Sequence, residues 1–177
     1  VFKSQIPPVE KAEFLVSFEA LASDAAPLVI TQNEYMRRMK DMAAMQPGMA
    51  FYGELPDSYN LIVNTEHTLI KEIRDNAEKA IGEKIAPMSA DIEKKNAEIT
   101  AIRDAAKDGK MSDDDTKKTS DLEAEVNKLR AEETKTISDY AAGQEKVKQL
   151  IDLALLGNGL LKGQDLSSFI KRSINML

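Results

Sequence analysis

The sequence predicts an α+β protein: a small mixed sheet with packed helices, an inserted antiparallel helical hairpin, and terminal helices able to form a four-helix bundle in a dimer. Three observations lead there. Short β-like runs cluster in the first third, two charged segments with narrow apolar seams fill the middle, and apolar density rises sharply beyond Gly143.

The elements follow in chain order. "AEFLVSF" and "APLVI" read as strands separated by the polar "ASD". Between them and the next strand-like runs lies "ITQNEYMRRMKDMAAMQPGM", Ile30 to Met49, which holds five of the eight methionines. Thr31 with Glu34 reads as a capping box that starts a helix, and Pro47 with Gly48 as its stop. On a helical wheel Met36, Met39, Met42 and Met45 spread over about 180°, with Tyr35 near the centre and Ala43 near one edge. A helix resting on a sheet needs a stripe only somewhat over about 100° wide. Two readings stand at this point: Met as filler of an irregular core, or Met as an adaptable binding surface.

"GMAFYGEL" and "YNLIVN" supply two more strand-like runs, joined by "PDS" as a turn. After Asn64 the pattern becomes helical, with Leu69, Ile70, Ile73, Ala77 and Ala80 spaced by three and four. From Ile85 a narrower seam takes over: Ile85, Met88, Ile92, Ile99, Ile102 and Ala106, with Lys95 filling the vacant slot. "KDGKMSDDDTKKT" breaks it. "SDLE", Ser120 to Glu123, reads as the capping box of a second arm carrying Leu122, Val126, Leu129, Ile137 and Tyr140. Two such seams are best satisfied by folding onto each other. Residues 83–143 are therefore assigned to an inserted charged hairpin, and 1–82 with 144–177 to the domain that carries it.

The last stretch reads as helix, glycine-rich break, helix, with Val147, Leu150, Ile151, Ala154 and Leu155 in the first and Leu166, Phe169, Ile170, Ile174 and Leu177 in the second. This is more apolar surface than one small sheet covers. Either the helices close the chain's own core, or two copies pair them into a four-helix bundle about a twofold axis.

Composition narrows the function. A net charge of -6, with no basic run interleaved with aromatics, argues against nucleic acid as a partner. The absence of cysteine removes thiol catalysis and zinc ribbons, and suits a reducing compartment, with cytoplasm as the expected place. The longest apolar run, around Leu150 to Leu161, is interrupted by Asp152, Gly157, Asn158 and Gly159, so no membrane span is expected. "VFKSQIPP" at the start has neither an initiator Met nor a signal pattern, which reads as a piece of a longer polypeptide. His67 is the sole histidine. A zinc site or a Ser/His/Asp triad would rest on it alone, and a first-turn structural role is the better reading. "SDDD" at Ser112 lacks the ligand spacing of a calcium loop and reads as a helix start or solvated loop. "GNGLLKG" lacks the spacing and the Gly-Lys-Ser/Thr ending of a phosphate loop.

Two long segments go further: "LVITQNEYMRRMKDMAAMQPGMAFYGELPDSYNLIVNTEHTLIKEI" and "QLIDLALLGNGLLKGQDLSSFIKRSINML". They closely resemble the carboxyl-terminal domain of the heat-shock protein 90 chaperone family in its bacterial form. The resemblance covers about residues 1–82 and 144–177, and the charged hairpin reads as an insertion beside it. It implies the dimerisation and client-contact part of an ATP-driven homodimeric chaperone. The dimer helices would be those carrying Leu150, Ile151, Leu155, Leu166, Phe169, Ile170 and Ile174. A client-contact helix would correspond by position to Tyr35, Met36, Met39, Met42 and Ala43, meeting unfolded or partly folded proteins. ATP and magnesium would belong to an amino-terminal domain absent from this sequence, which on that reading is no enzyme by itself. The competing class is a structural scaffold or adaptor acting through the hairpin.

Overall fold

The structure, a computed structural model, describes residues 1–45, 55–106 and 111–176. They divide into two compact units, residues 1–74 with 141–177 and residues 75–140. The unit boundaries fall inside long helices rather than at breaks in the chain.

The first unit opens with a short 3-10 turn, Lys3–Gln5, and strand β1, Ala12–Glu19. Strand β2, Leu28–Gln32, helix α1, Glu34–Met45, and strand β3, Asp57–Asn64, follow. The three described strands form a mixed sheet in the order β1-β3-β2. β3 runs parallel to β1, with Val16 opposite Leu61, and antiparallel to β2, with Ile30 opposite Leu61. The first two strands are therefore not neighbours; the most buried strand lies between them. Its Leu61 and Val63 are 1% and 0% exposed, as befits a central position. Asp57 and Ser58, expected in a turn with Pro56, are instead the first ladder residues of β3, paired with Ala12 and Glu13. Backbone pairing outweighs their turn preference because β1 supplies eight consecutive partners. The expected strand "GMAFYGEL" and the helix stop at Pro47 and Gly48 lie outside the described residues, apart from Leu55.

One face of this sheet is closed by helices. Helix α2 begins at Thr68, and α4, Glu145–Gly157, and α5, Gly163–Asn175, complete the unit. Phe2, Leu28, Ile30, Leu61, Val63, Ile70, Val147, Ile151, Leu155 and Leu161 form its buried cluster. The break between α4 and α5 has a specific construction. Gly159 takes the left-handed conformation at φ 68°, its N–H donates to the Leu156 carbonyl, and the Leu160 N–H donates to the Leu155 carbonyl at 2.9 Å. These are the two bonds of a Schellman stop, which favours glycine at that position, and Leu160 joins Leu155 in the core. "GNG" is thus a helix terminator.

The second unit consists of the rest of α2, Thr68–Ala105, and most of α3, Asp113–Ala142. α2 runs unbroken past Ile85 and through Pro87. Its arm and α3 are antiparallel, as the cross-pairs Ser89 with Glu133, Lys95 with Glu125, Glu98 with Lys118 and Arg103 with Glu123 require. Ile92, Ile99 and Val126 form the buried seam, with Leu122 and Leu129 against them. Lys95 occupies a seam slot and reaches out to Glu125, while Glu133 accepts from the Ser89 hydroxyl at 2.7 Å. Polar groups at seam positions fix register at a cost in stability. The expected capping box at Ser120 to Glu123 lies inside α3. The cap is Ser112, whose Oγ accepts from the Asp115 N–H at 3.1 Å and donates to the Asp115 carboxylate at 2.7 Å. The same four-residue pattern occurs twice, and only the earlier copy stands at the start of the helix, where N–H groups lack helical partners.

Candidate functional site

Helix α1 starts one residue after β2 ends. Thr31 remains in the ladder opposite Asn60, so the capping position passes to Asn33, whose Oδ1 accepts from the Met36 N–H at 3.2 Å. The predicted Thr31 cap is corrected accordingly. Glu34 instead binds two arginines, Arg37 at 3.0 Å and Arg38 at 2.9 Å, which hold its carboxyl down at about 2. Lys40 reaches Asp57 at the start of β3, at 2.7 Å.

The wide apolar band is divided. Ala43 is buried and Met36 and Met39 are partly buried, whereas Tyr35, Met42 and Met45 are 68%, 45% and 85% exposed. On the wheel the inward group is centred near Ala43, and Tyr35, Met42 and Met45 occupy the neighbouring sector with Arg38 among them. Of the five residues matched to client contact, Tyr35 and Met42 offer most surface, Met36 and Met39 offer part, and Ala43 offers almost none.

The terminal helices divide in the same way. Ile151 and Leu155 are 0% and 1% exposed within the chain's own core, and Leu150, Leu166 and Phe169 pack against that core. Ile170 and Ile174 on α5, and Leu153 and Leu156 on α4, are exposed. Of the seven residues matched to a dimer contact, Ile151 and Leu155 therefore have no side-chain surface left for a second copy. Leu177 lies outside the described residues. A shallow apolar groove of about 180 Å³ is lined by Leu69, Ile73, Leu150 and Met176, with the Lys146–Glu72 ion pair on its rim.

A polar network that sequence reading missed joins α4 to α5. Asp152 is 1% exposed, and its Oδ2 accepts from Arg172 Nη2. Arg172 Nε donates to Gln149 Oε1 at 3.1 Å, and Gln149 Nε2 donates to Ser173 Oγ at 2.6 Å. Asp152 Oδ1 has no hydrogen-bond partner among the described residues, and burial pushes the carboxyl pKa above its usual value against the pull of Lys148 and Arg172. The one signal available was an Asp in the otherwise apolar "LIDLALL".

His67 caps α2: its Nδ1 accepts from the Leu69 N–H at 3.2 Å, and its carbonyl accepts from Ile70 and Lys71. This is the structural first-turn role expected of it. Among the described residues there is no cluster of three or more metal-ligating side chains, and no helix is long and apolar enough to cross a membrane.

Comparison with known proteins places this arrangement. The chain is 43% identical over 183 residues to the chaperone protein HtpG of Bacteroides fragilis, with 99% of the chain aligned. It is 41% identical over 179 residues to HtpG of Bacteroides thetaiotaomicron, and 41% over 181 residues to HtpG of Porphyromonas gingivalis strain W83. These alignments cover 99% or more of the chain, so they run through the charged hairpin, a segment the relatives share. The chain spans about a quarter of the length of these relatives, 26% in each case. No family model and no solved structure matches it. From end to end, then, this chain is a homologue of one segment of the HtpG chaperones of the heat-shock protein 90 family.

Proposed function

We propose that this chain is the dimerisation and client-contact part of an ATP-dependent cytoplasmic chaperone. The terminal helix pair joins two copies, and the exposed sector of α1 meets unfolded or partly folded proteins. ATP and magnesium, on this reading, are handled by a part of the longer protein outside this chain. Gly157 and Gly159 belong to the helix stop and Gly163 to the start of α5. The observation that carries the reading is the pair Ile170 and Ile174, one turn apart on α5 and 49% and 63% exposed beside a core that Leu166 and Phe169 already serve.

Sedimentation equilibrium tests the dimer. The chain is expected to sediment as a dimer at micromolar concentration, and Ile170→Glu with Ile174→Glu as a monomer, because charges would then be buried without partners. Both side chains are exposed in the single chain, so the variant is expected to keep its helical circular dichroism. A wild-type chain that stays monomeric at high micromolar concentration would sink this half of the reading.

Client contact is tested at residues that the fold does not use. Tyr35→Ser with Met42→Ser is expected to weaken binding of a destabilised client about tenfold, while the midpoint of thermal unfolding moves by only a few degrees. Unchanged client binding by a folded variant would count against α1 as the contact helix.

A further inference from the structure

Among the described residues β1 is an edge of the sheet, paired with β3 on one side only. Its backbone polarity can be read from the two ends of the ladder. The Asp57 N–H donates to the Lys11 carbonyl at 2.7 Å, and the Thr65 N–H donates to the Glu19 carbonyl at 2.9 Å. A parallel ladder has a period of two, so residues in phase with Lys11 and Glu19 turn their backbone groups toward β3. Phe14, Val16 and Phe18 therefore present theirs to the open side. The Ala12 N–H is already taken by the Val9 carbonyl, at 3.2 Å.

The side chains of this edge are unlike those of a protected one. Leu15 is 66% exposed and Phe18 64% exposed, on opposite faces of the strand. Within Ala12–Glu19 there is no Lys or Pro, two residues that usually blunt an edge, and the charges are the two carboxylates Glu13 and Glu19. Glu13 and Glu19 share the face of Leu15, are exposed, and form no ion pair among the described residues. The opposite edge, β2, is only five residues long and ends in the polar Thr31 and Gln32. A strand laid along β1 would meet three outward-facing residues' worth of donors and acceptors, an apolar side chain on each face, and a carboxylate near each end.

We propose that β1 accepts an extended segment of a partner polypeptide as a fourth strand, and that the segment alternates basic with apolar residues. Main-chain pairing supplies the affinity, Phe18 covers the segment's apolar positions on one face, and on the other Leu15 packs against the methylene stems of the basic residues whose charges Glu13 and Glu19 select. This site is separate from the exposed sector of α1 and does not depend on the chaperone reading.

The probe is a fluorescein-labelled peptide of seven residues, alternating Lys and Val, titrated with the 177-residue chain and followed by anisotropy. Saturable binding is expected below roughly 1 mM. A Glu/Val peptide of the same length is expected to bind at least tenfold more weakly, and so is the Lys/Val peptide to Leu15→Lys. Methylating the peptide nitrogens on alternate residues, in each of the two phases, separates strand pairing from simple charge attraction. One phase should abolish binding and the other spare it. Equal binding by the parent and both methylated peptides, or no binding by the parent, would overturn the proposal. So would unchanged affinity for the Leu15→Lys chain.

Discussion

Arg172→Met is expected to lower the unfolding free energy by about 3–5 kcal/mol, the usual cost of leaving a buried charge without its partner. The charge left behind is Asp152, whose side chain is 2% exposed and which already has one oxygen without a hydrogen bond. Replacing both partners, Asp152→Leu with Arg172→Met, should recover most of the loss, because the desolvation cost disappears with the charges. Denaturant unfolding of the two variants and the parent would show this as strong non-additivity. A single variant as stable as the parent would mean that the pair is not formed.

The protonation of Asp152 gives a second handle on the same contact. Its pKa is raised above 3.8 by burial, so its folded form favours the proton more than its unfolded form does. The stabilisation this provides is complete below the unfolded value and is lost as pH rises through the raised folded value. Asp152→Asn, which carries no charge at any pH, should therefore gain on the parent as pH increases across that window. Parallel stability curves for the two proteins would remove burial as the dominant influence on this carboxyl.

What the sequence made legible was what depends on spacing along one chain segment. The seam Ile85, Met88, Ile92, Ile99, Ile102 and Ala106 could be listed with its vacant slot at Lys95, since heptad spacing is local. That slot is where Lys95 sits, reaching for Glu125. The methionine band could be measured on a wheel, but its division between core and solvent depends on where α1 meets the sheet. That division is set by the Asn33 cap and by the pairing of Lys40 with Asp57, neither of which a wheel shows. The same limit explains the caps. Thr31 and Ser120 have the right chemistry, and each lost the role to a neighbour because strand pairing or helix continuation had already claimed its backbone. The partition of Ile151 and Leu155 into the core, with Ile170 and Ile174 outside it, likewise requires the position of the sheet. Asp152 and Arg172 are twenty residues apart, and their pairing follows from the Schellman stop that folds α5 back along α4.

Asn64→Ala should be the second costly single change, because Asn64 ties together three segments that have no regular structure in common. Its side chain is fully buried at the end of β3. Oδ1 accepts from the N–H groups of Leu21 and Glu66, each at 3.1 Å, and Nδ2 donates to the Ala22 carbonyl at 2.9 Å. Its main chain adds a bond from the Asn64 N–H to the Pro27 carbonyl and one from the His67 N–H to the Asn64 carbonyl. Truncation to Ala leaves two N–H groups without an acceptor, at about 1–3 kcal/mol each, so a loss of roughly 2–6 kcal/mol is expected in denaturant unfolding. Ordinary surface loops offer water as a substitute acceptor, and this one offers less because Asn64 itself is sealed. Hydrogen exchange gives the local readout: the amides of Leu21 and Glu66 should lose protection first, with the amide of Val126 in the second unit unaffected. A variant with native stability would mean that the loop at residues 20–27 is held by Leu28 and Ile30 in the core, and that the asparagine only fills space.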